Sequence, residues 1–142
     1  MGELLRPQDL KKIAEDMDMA KAREGIDSMK KREEQESALR DAFMHRDVHP
    51  EAAERVNAAV RRAAANGLNE VQVFTFPASY CNDGGRRINN AEADWPSSLE
   101  GFAKRAYEYY EKELRPLGYK VQVRVLSFPG GMIGEIGLFL RW

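Results

Sequence analysis

The chain has 142 residues, 43% of them hydrophobic and 32% charged, enough for one domain of ordinary size whose core needs no disulfide staples. Lys and Arg number 22 against 23 Asp and Glu, for a net charge of -1, which removes any global pull toward nucleic acid or an anionic membrane. A single cysteine excludes an internal disulfide and a multi-cysteine zinc site.

The N-terminus, MGELLRPQDL, lacks the apolar stretch of a secretory signal. Position 6 is Arg6, where a myristoylation signal wants Ser or Thr. The longest C-terminal apolar run, Leu138-Phe139-Leu140, is far too short to cross a bilayer. The expectation is a cytoplasmic protein with no membrane segment, and the lone Cys81 fits a reducing compartment.

Residues 1–49 read as a charged helical arm. Leu10, Ile13 and Met17 step by three and four along one helical face. Gly25 interrupts, and Asp27 or Ser28 is placed to cap a second helix. Residues 30–37, KKREEQES, have no apolar member, but Lys30–Glu34, Arg32–Glu36 and Glu36–Arg40 are opposite charges four apart. So thin an apolar stripe builds no core alone, and a marginal helix needs a packing partner. The arm is therefore expected to serve as a dimerisation element.

The globular domain is expected over 50–142. Pro50 suits a first helical turn, Val56, Ala59, Val60 and Ala63 form a stripe, and Asn66-Gly67 supplies a stop. Val71, Val73 and Thr75 alternate with Gln72, Phe74 and Phe76 as in a strand, which Pro77 ends. A long irregular stretch follows, roughly residues 77–96. Ser97 with Glu100 three residues on matches a capping box, opening a helix over 98–115. Tyr119, Val121, Val123 and Val125 alternate as a second strand, FPGGM at 128–132 makes a tight turn, and residues 133–142 form a third.

This order predicts the α+β class: a charged helical N-terminal arm, then an α-β-α-β-β sandwich with a three-stranded mixed sheet, a split βαβ that is half of a ferredoxin-like sandwich. The third strand is the most apolar and belongs in the centre. The second, with Lys120 and Arg124, reads as a protected edge. Two helices on one face leave the other with some of Phe74, Phe76, Leu126, Phe128, Phe139 and Trp142, more apolar surface than a monomer leaves wet. A homodimer is the expectation.

The first and second strands end on one edge of such a sheet, so the loop after the first should lie near the 128–132 turn. Ligands in parallel α/β folds bind beyond strand C-termini, an analogy for this smaller sheet. The loop offers Asn82, Arg86, Arg87 and Asn89, with Gly130 and Gly131 opposite. Paired arginines hold a carboxylate or phosphate in bidentate fashion, and glycine amides can complete an anion nest. The same residues also satisfy an ordinary loop: Arg86 with Asp83, and Trp95 as a pin to the core.

Cys81 and Asp83 are the candidate catalytic groups. A thiolate would be stabilised beside Arg86 or Arg87, but a general base is needed, and nothing places His45 or His49 near Cys81. His45 and His49, with Asp47 and Glu51, have helical metal-ligand spacing, yet Pro50 breaks that helix and no metal is expected. No P-loop, dinucleotide fingerprint, zincin motif or nucleophile elbow is present, and no cofactor is expected. Basic residues do not interleave with aromatics, which argues against nucleic acid. The preferred reading is a non-catalytic dimeric protein binding a small anionic ligand or a protein partner at the 79–90 loop and the 128–132 turn. The alternative is a small enzyme using Cys81 or Asp83, with Arg86 and Arg87 holding an anionic substrate.

Overall fold

A computed structural model describes residues 4–142. It divides into two units, the first ending at Asp41 and the second running from Ala42 to Trp142. The first unit consists almost wholly of helix α1, Pro7–His45, whose last turn belongs to the second. No side chain of α1 is buried.

Gly25 and the candidate caps Asp27 and Ser28 do not divide this helix, as they were expected to. One exposed glycine costs about 1 kcal/mol in a helix interior. A break would instead orphan four amides and four carbonyls at the new ends. Nothing lies within 4 Å of the place a Gly25 side chain would occupy, so no packing contact forces a break there.

The second unit runs α2 (Ala52–Ala65), β1 (Glu70–Pro77), α3 (Arg86–Asn89), α4 (Gly101–Tyr109), β2 (Lys120–Val125) and β3 (Glu135–Arg141). The α+β class and the expected element order stand. β3 lies between β1 and β2. The sheet, expected as mixed, is antiparallel at both of its pairings. β1 and β2 do share a direction, but the central strand keeps them apart, so no parallel pair forms.

Ile136, Leu138 and Leu140 of β3 pair with Val125, Val123 and Val121 on one side, and with Phe76, Phe74 and Val71 on the other. A bulge between Gln72 and Phe74 returns Val71 to the same face. This is the face the helices cover. Phe76, Ile88, Leu99, Ala103 and Ile136 form the core, with Phe43 packed against it.

The opposite face is less apolar than the sequence suggested, because Phe74 and Phe76 point into the core. It carries Glu70, Gln122, Arg124 and Arg141, joined by hydrogen bonds and ion pairs. Arg124 stacks 4.2 Å above the Phe139 ring. The Arg124 hydrogen bond outweighs burial and holds the Glu70 carboxyl below its ordinary pKa. Leu126, Phe128 and Trp142 remain exposed.

The capping box expected at Ser97 and Glu100 does not form. Ser97 Oγ donates to the Asp94 carbonyl at 2.7 Å and Ser98 Oγ to the Trp95 carbonyl at 2.7 Å, inside a short 3-10 turn at Trp95–Ser98. α4 begins at Gly101, with φ +57. A Cβ there would stand 2.6 Å from Met44 Cα, so glycine is needed for the approach of the 43–44 backbone. Beyond Tyr109 the helix widens to a π-turn over Tyr110–Leu114 and tightens again at Arg115–Leu117.

Candidate functional site

Pro77 pairs with Glu135 and Val125 with Ile136, so β1 and β2 both end where β3 begins. The segment after β1 and the turn after β2 therefore leave the same rim. They touch there: the Ala78 amide donates to the Gly134 carbonyl at 2.8 Å. Gly85 has φ +86, and a Cβ on it would meet Ala78 and Ile136 at 3.1 Å and Ile133 at 3.3 Å. Only glycine fits that turn against the start of β3.

The rim is occupied by its own chemistry. Asp83 Oδ1 accepts from the Gly85 amide at 2.9 Å, and Oδ2 from the Arg87 amide at 3.0 Å, so Asp83 closes the first turn of α3. Burial alone would raise its pKa. The two amides and the charges of Arg87 and Arg86 outweigh that and hold the carboxyl below its ordinary value. Arg87 lies 3.2 Å from Asp94 and 3.6 Å from Asp83, and Arg86 lies 3.7 Å from Glu92. Both guanidinium groups thus face carboxylates of their own segment, and an incoming anion would have to displace them.

Asn82 ties the segment down, its side-chain amide donating to the Ser97 carbonyl at 2.8 Å and its backbone amide to Ser98 at 2.9 Å. Asn89 is exposed in the last turn of α3. Gly130 and Gly131 have φ +61 and +80 at an exposed tip. The Gly131 amide donates to the Phe128 carbonyl at 3.1 Å, which removes it from a nest.

Cys81 is 6% exposed, in the core beside Phe76, Ile88 and Leu99. Burial, and next the Asp83 charge, push its thiol up to about 11, although a hydrogen bond with Ser98 works the other way. An activated nucleophile needs the opposite shift. His45 ends α1, whereas His49 lies beyond it, so the two do not share a helix. Among the described residues no cluster of three or more His, Cys, Asp or Glu side chains is arranged to hold a metal ion. No helix among them is long and apolar enough to cross a membrane.

A groove of about 250 Å³, which the sequence analysis did not single out, opens beneath α2. Its floor is Val71, Phe74, Leu138 and Leu140 of the sheet. Ala52, Val56, Ala59 and Val60 of α2 form one wall, Phe102 and Ala106 of α4 with Tyr110 just beyond it the other. The cause is side-chain size: alanines and valines on α2 are too short to fill the space above phenyl and leucine side chains. The signal was present in the Val56-Ala59-Val60-Ala63 stripe, which periodicity marks as buried without saying how far it reaches.

The open side of the groove is basic. Arg46, His49 and Arg55 are exposed there, and no carboxylate is among the lining residues. Arg46 stacks 4.3 Å from the Phe102 ring. Arg105 of α4 holds the preceding backbone, donating to the Met44 and Arg46 carbonyls at 2.9 and 3.0 Å and pairing with Asp47 at 3.5 Å. Tyr110 is already satisfied, its hydroxyl donating to the Tyr119 carbonyl at 2.8 Å. No protein family model, curated protein or solved structure matches this chain.

Proposed function

We propose that this protein is a non-catalytic binding protein, and that the groove beneath α2 seats a small anionic ligand with an apolar body. The observation carrying the proposal is the groove itself: apolar walls from three elements, with arginines as the charged residues lining it. Ligand sites combine an apolar lining with a few convergent polar groups. Polar partners for ordered water are scarce along such walls, so apolar occupancy is favoured over hydration.

The rim at residues 79–90 supports this reading less, since Arg86 and Arg87 are engaged by Glu92, Asp83 and Asp94. An enzyme built on Cys81 or Asp83 is likewise less supported: the thiol is buried, and the carboxylate accepts from two backbone amides.

The test is titration with an apolar aromatic sulfonate dye that fluoresces on leaving water. A saturable one-to-one complex, lost in Ala59→Leu while circular dichroism stays native, supports the proposal. No enhancement with the folded chain overturns it.

Self-association belongs to the same proposal. The whole of α1 lies unburied with Leu10, Ile13 and Met17 each more than half exposed, and an isolated helix gains most of its stability from packing. A homodimer formed through the arm, in a reducing cytoplasm that keeps Cys81 free, fits these features. Light scattering that reports a monomer at micromolar concentration would count against the dimer.

A further inference from the structure

The mouth of the groove contains a proton conflict. His49 Nδ1 accepts from the Glu51 amide at 3.0 Å, while its Nε2 lies 3.0 Å from Arg55 Nη2. An amide nitrogen and a guanidinium both offer only N–H. A neutral imidazole carries one proton, so with Nδ1 accepting, the proton is on Nε2 and faces another donor. The other tautomer moves the conflict to Glu51, and an imidazolium creates it at both nitrogens. An acceptor placed beside the imidazole and the guanidinium relieves the conflict at the edge of the groove.

Resting on the groove reading above, we infer that the ligand is a medium-chain carboxylate, a free fatty acid of roughly ten carbons, whose head group sits against His49 Nε2 and Arg55. A carboxylate offers two oxygens and about four lone-pair sites, so it accepts from the imidazole and the guanidinium together. Arg46, also lining the groove, adds a second positive charge. The chain length follows from volume. An apolar cavity of about 150 Å³ accommodates benzene, and at that ratio about 250 Å³ takes roughly ten carbons. Burying those methylenes supplies the affinity, and the carboxylate sets which end enters last.

The groove favours a small acid over a partner helix. A docked amphipathic helix presents side chains three and four apart along a long groove, whereas a volume of about 250 Å³ suits a small molecule. It also favours a carboxylate over a neutral alcohol. One hydroxyl supplies a single oxygen for two donors and leaves the Arg55 charge uncompensated.

The test is calorimetric titration of the full chain with decanoate and, separately, decanol, on the native protein and on Arg55→Gln, His49→Ala and Ala59→Leu. Arg55 and His49 are exposed and outside the core, so their variants keep the fold. The expected result is one decanoate per chain, bound at least tenfold more tightly than decanol. Arg55→Gln and His49→Ala should each weaken decanoate about tenfold and leave decanol unchanged. Ala59→Leu should abolish both. Equal binding of acid and alcohol, with neither head-group variant changing the ratio, would overturn the carboxylate seat and leave the groove reading intact. Binding of neither compound to native protein would overturn both.

Discussion

The rim where β1 and β2 end and the groove beneath α2 lie in one globular unit, yet they solve opposite problems. The rim is rich in polar groups and has used most of them: Asp83 accepts from two amides, Asn82 bridges to Ser97, and Arg86 and Arg87 meet acids of their own segment, while Glu92 Oε2 is buried without a hydrogen-bond partner. The groove is poor in polar groups, and at its mouth the His49 ring meets two donors, the Glu51 amide at Nδ1 and Arg55 at Nε2, of which a neutral imidazole accepts from only one. A concentration of functional-looking side chains can therefore mark a loop that is largely satisfied by its own groups. A shortfall of side-chain volume or of acceptors is the stronger sign of a place for something else.

The comparison predicts that substitutions at the rim cost stability and that filling the groove adds to it. Ile136 is fully buried where the rim segments meet. Ile136→Ala should lower unfolding free energy by about 2–5 kcal/mol in urea denaturation. An unchanged midpoint would mean the rim is not packed as described.

Asp83→Ala should cost about 1–2 kcal/mol, because it leaves the Gly85 and Arg87 amides without their carboxylate acceptor. Its pKa is depressed in the folded chain, so its contribution is present above the unfolded value near 4 and is lost as pH falls through the folded value. Acid titration should find the native chain losing more stability below about pH 4 than Asp83→Ala does.

Ala59→Leu should move the other way and stabilise by about 1 kcal/mol, because added methylenes find room in the groove. A fall in melting temperature would show that α2 already fits its site closely.

Cys81 extends the comparison to high pH. Its raised pKa means the thiol favours folding fully below the unfolded value of about 8.5, and that advantage fades as pH rises toward about 11. Alkylation of the native chain at pH 8 should be much slower than of a free thiol; a similar rate would show that Cys81 is not buried.

The smallest effect is expected at Arg86→Ala. That exposed pair lies 3.7 Å apart, and such pairs contribute about 0–1 kcal/mol. Affinity for a groove ligand should not change. A tenfold loss would return the ligand site to the rim.

Local patterning made much of this fold legible. The alternation in 71–76 and 119–125, the apolar run at 136–140 and the Asn66-Gly67 stop located strands and a helix end, because pleat and cap geometry depend on near neighbours. The central place of β3 followed from its apolar sequence, and the shared rim of the 77–96 and 128–132 segments from the common direction of β1 and β2. The continuity of α1 through Gly25 was not legible, because the sequence does not show that nothing lies within 4 Å of Gly25 to force a break.

What only the tertiary structure decided was which polar groups find each other and where volume is missing. Ser97 had the spacing of a capping box but turned to Asp94, since a 3-10 turn and the approach of Met44 to Gly101 moved the start of α4. Arg86 and Arg87 read as anion ligands, with Asp83 as the alternative partner of Arg86, but Arg86 meets Glu92 and Arg87 meets Asp94 and Asp83, because spacing along the chain does not measure the distance between side chains. The space under α2 depends on alanines and valines of one helix standing over Phe74 and Leu138 of distant strands. Composition marks each of these residues as apolar, but whether their volumes sum to a filled interior depends on how far apart the backbones are held.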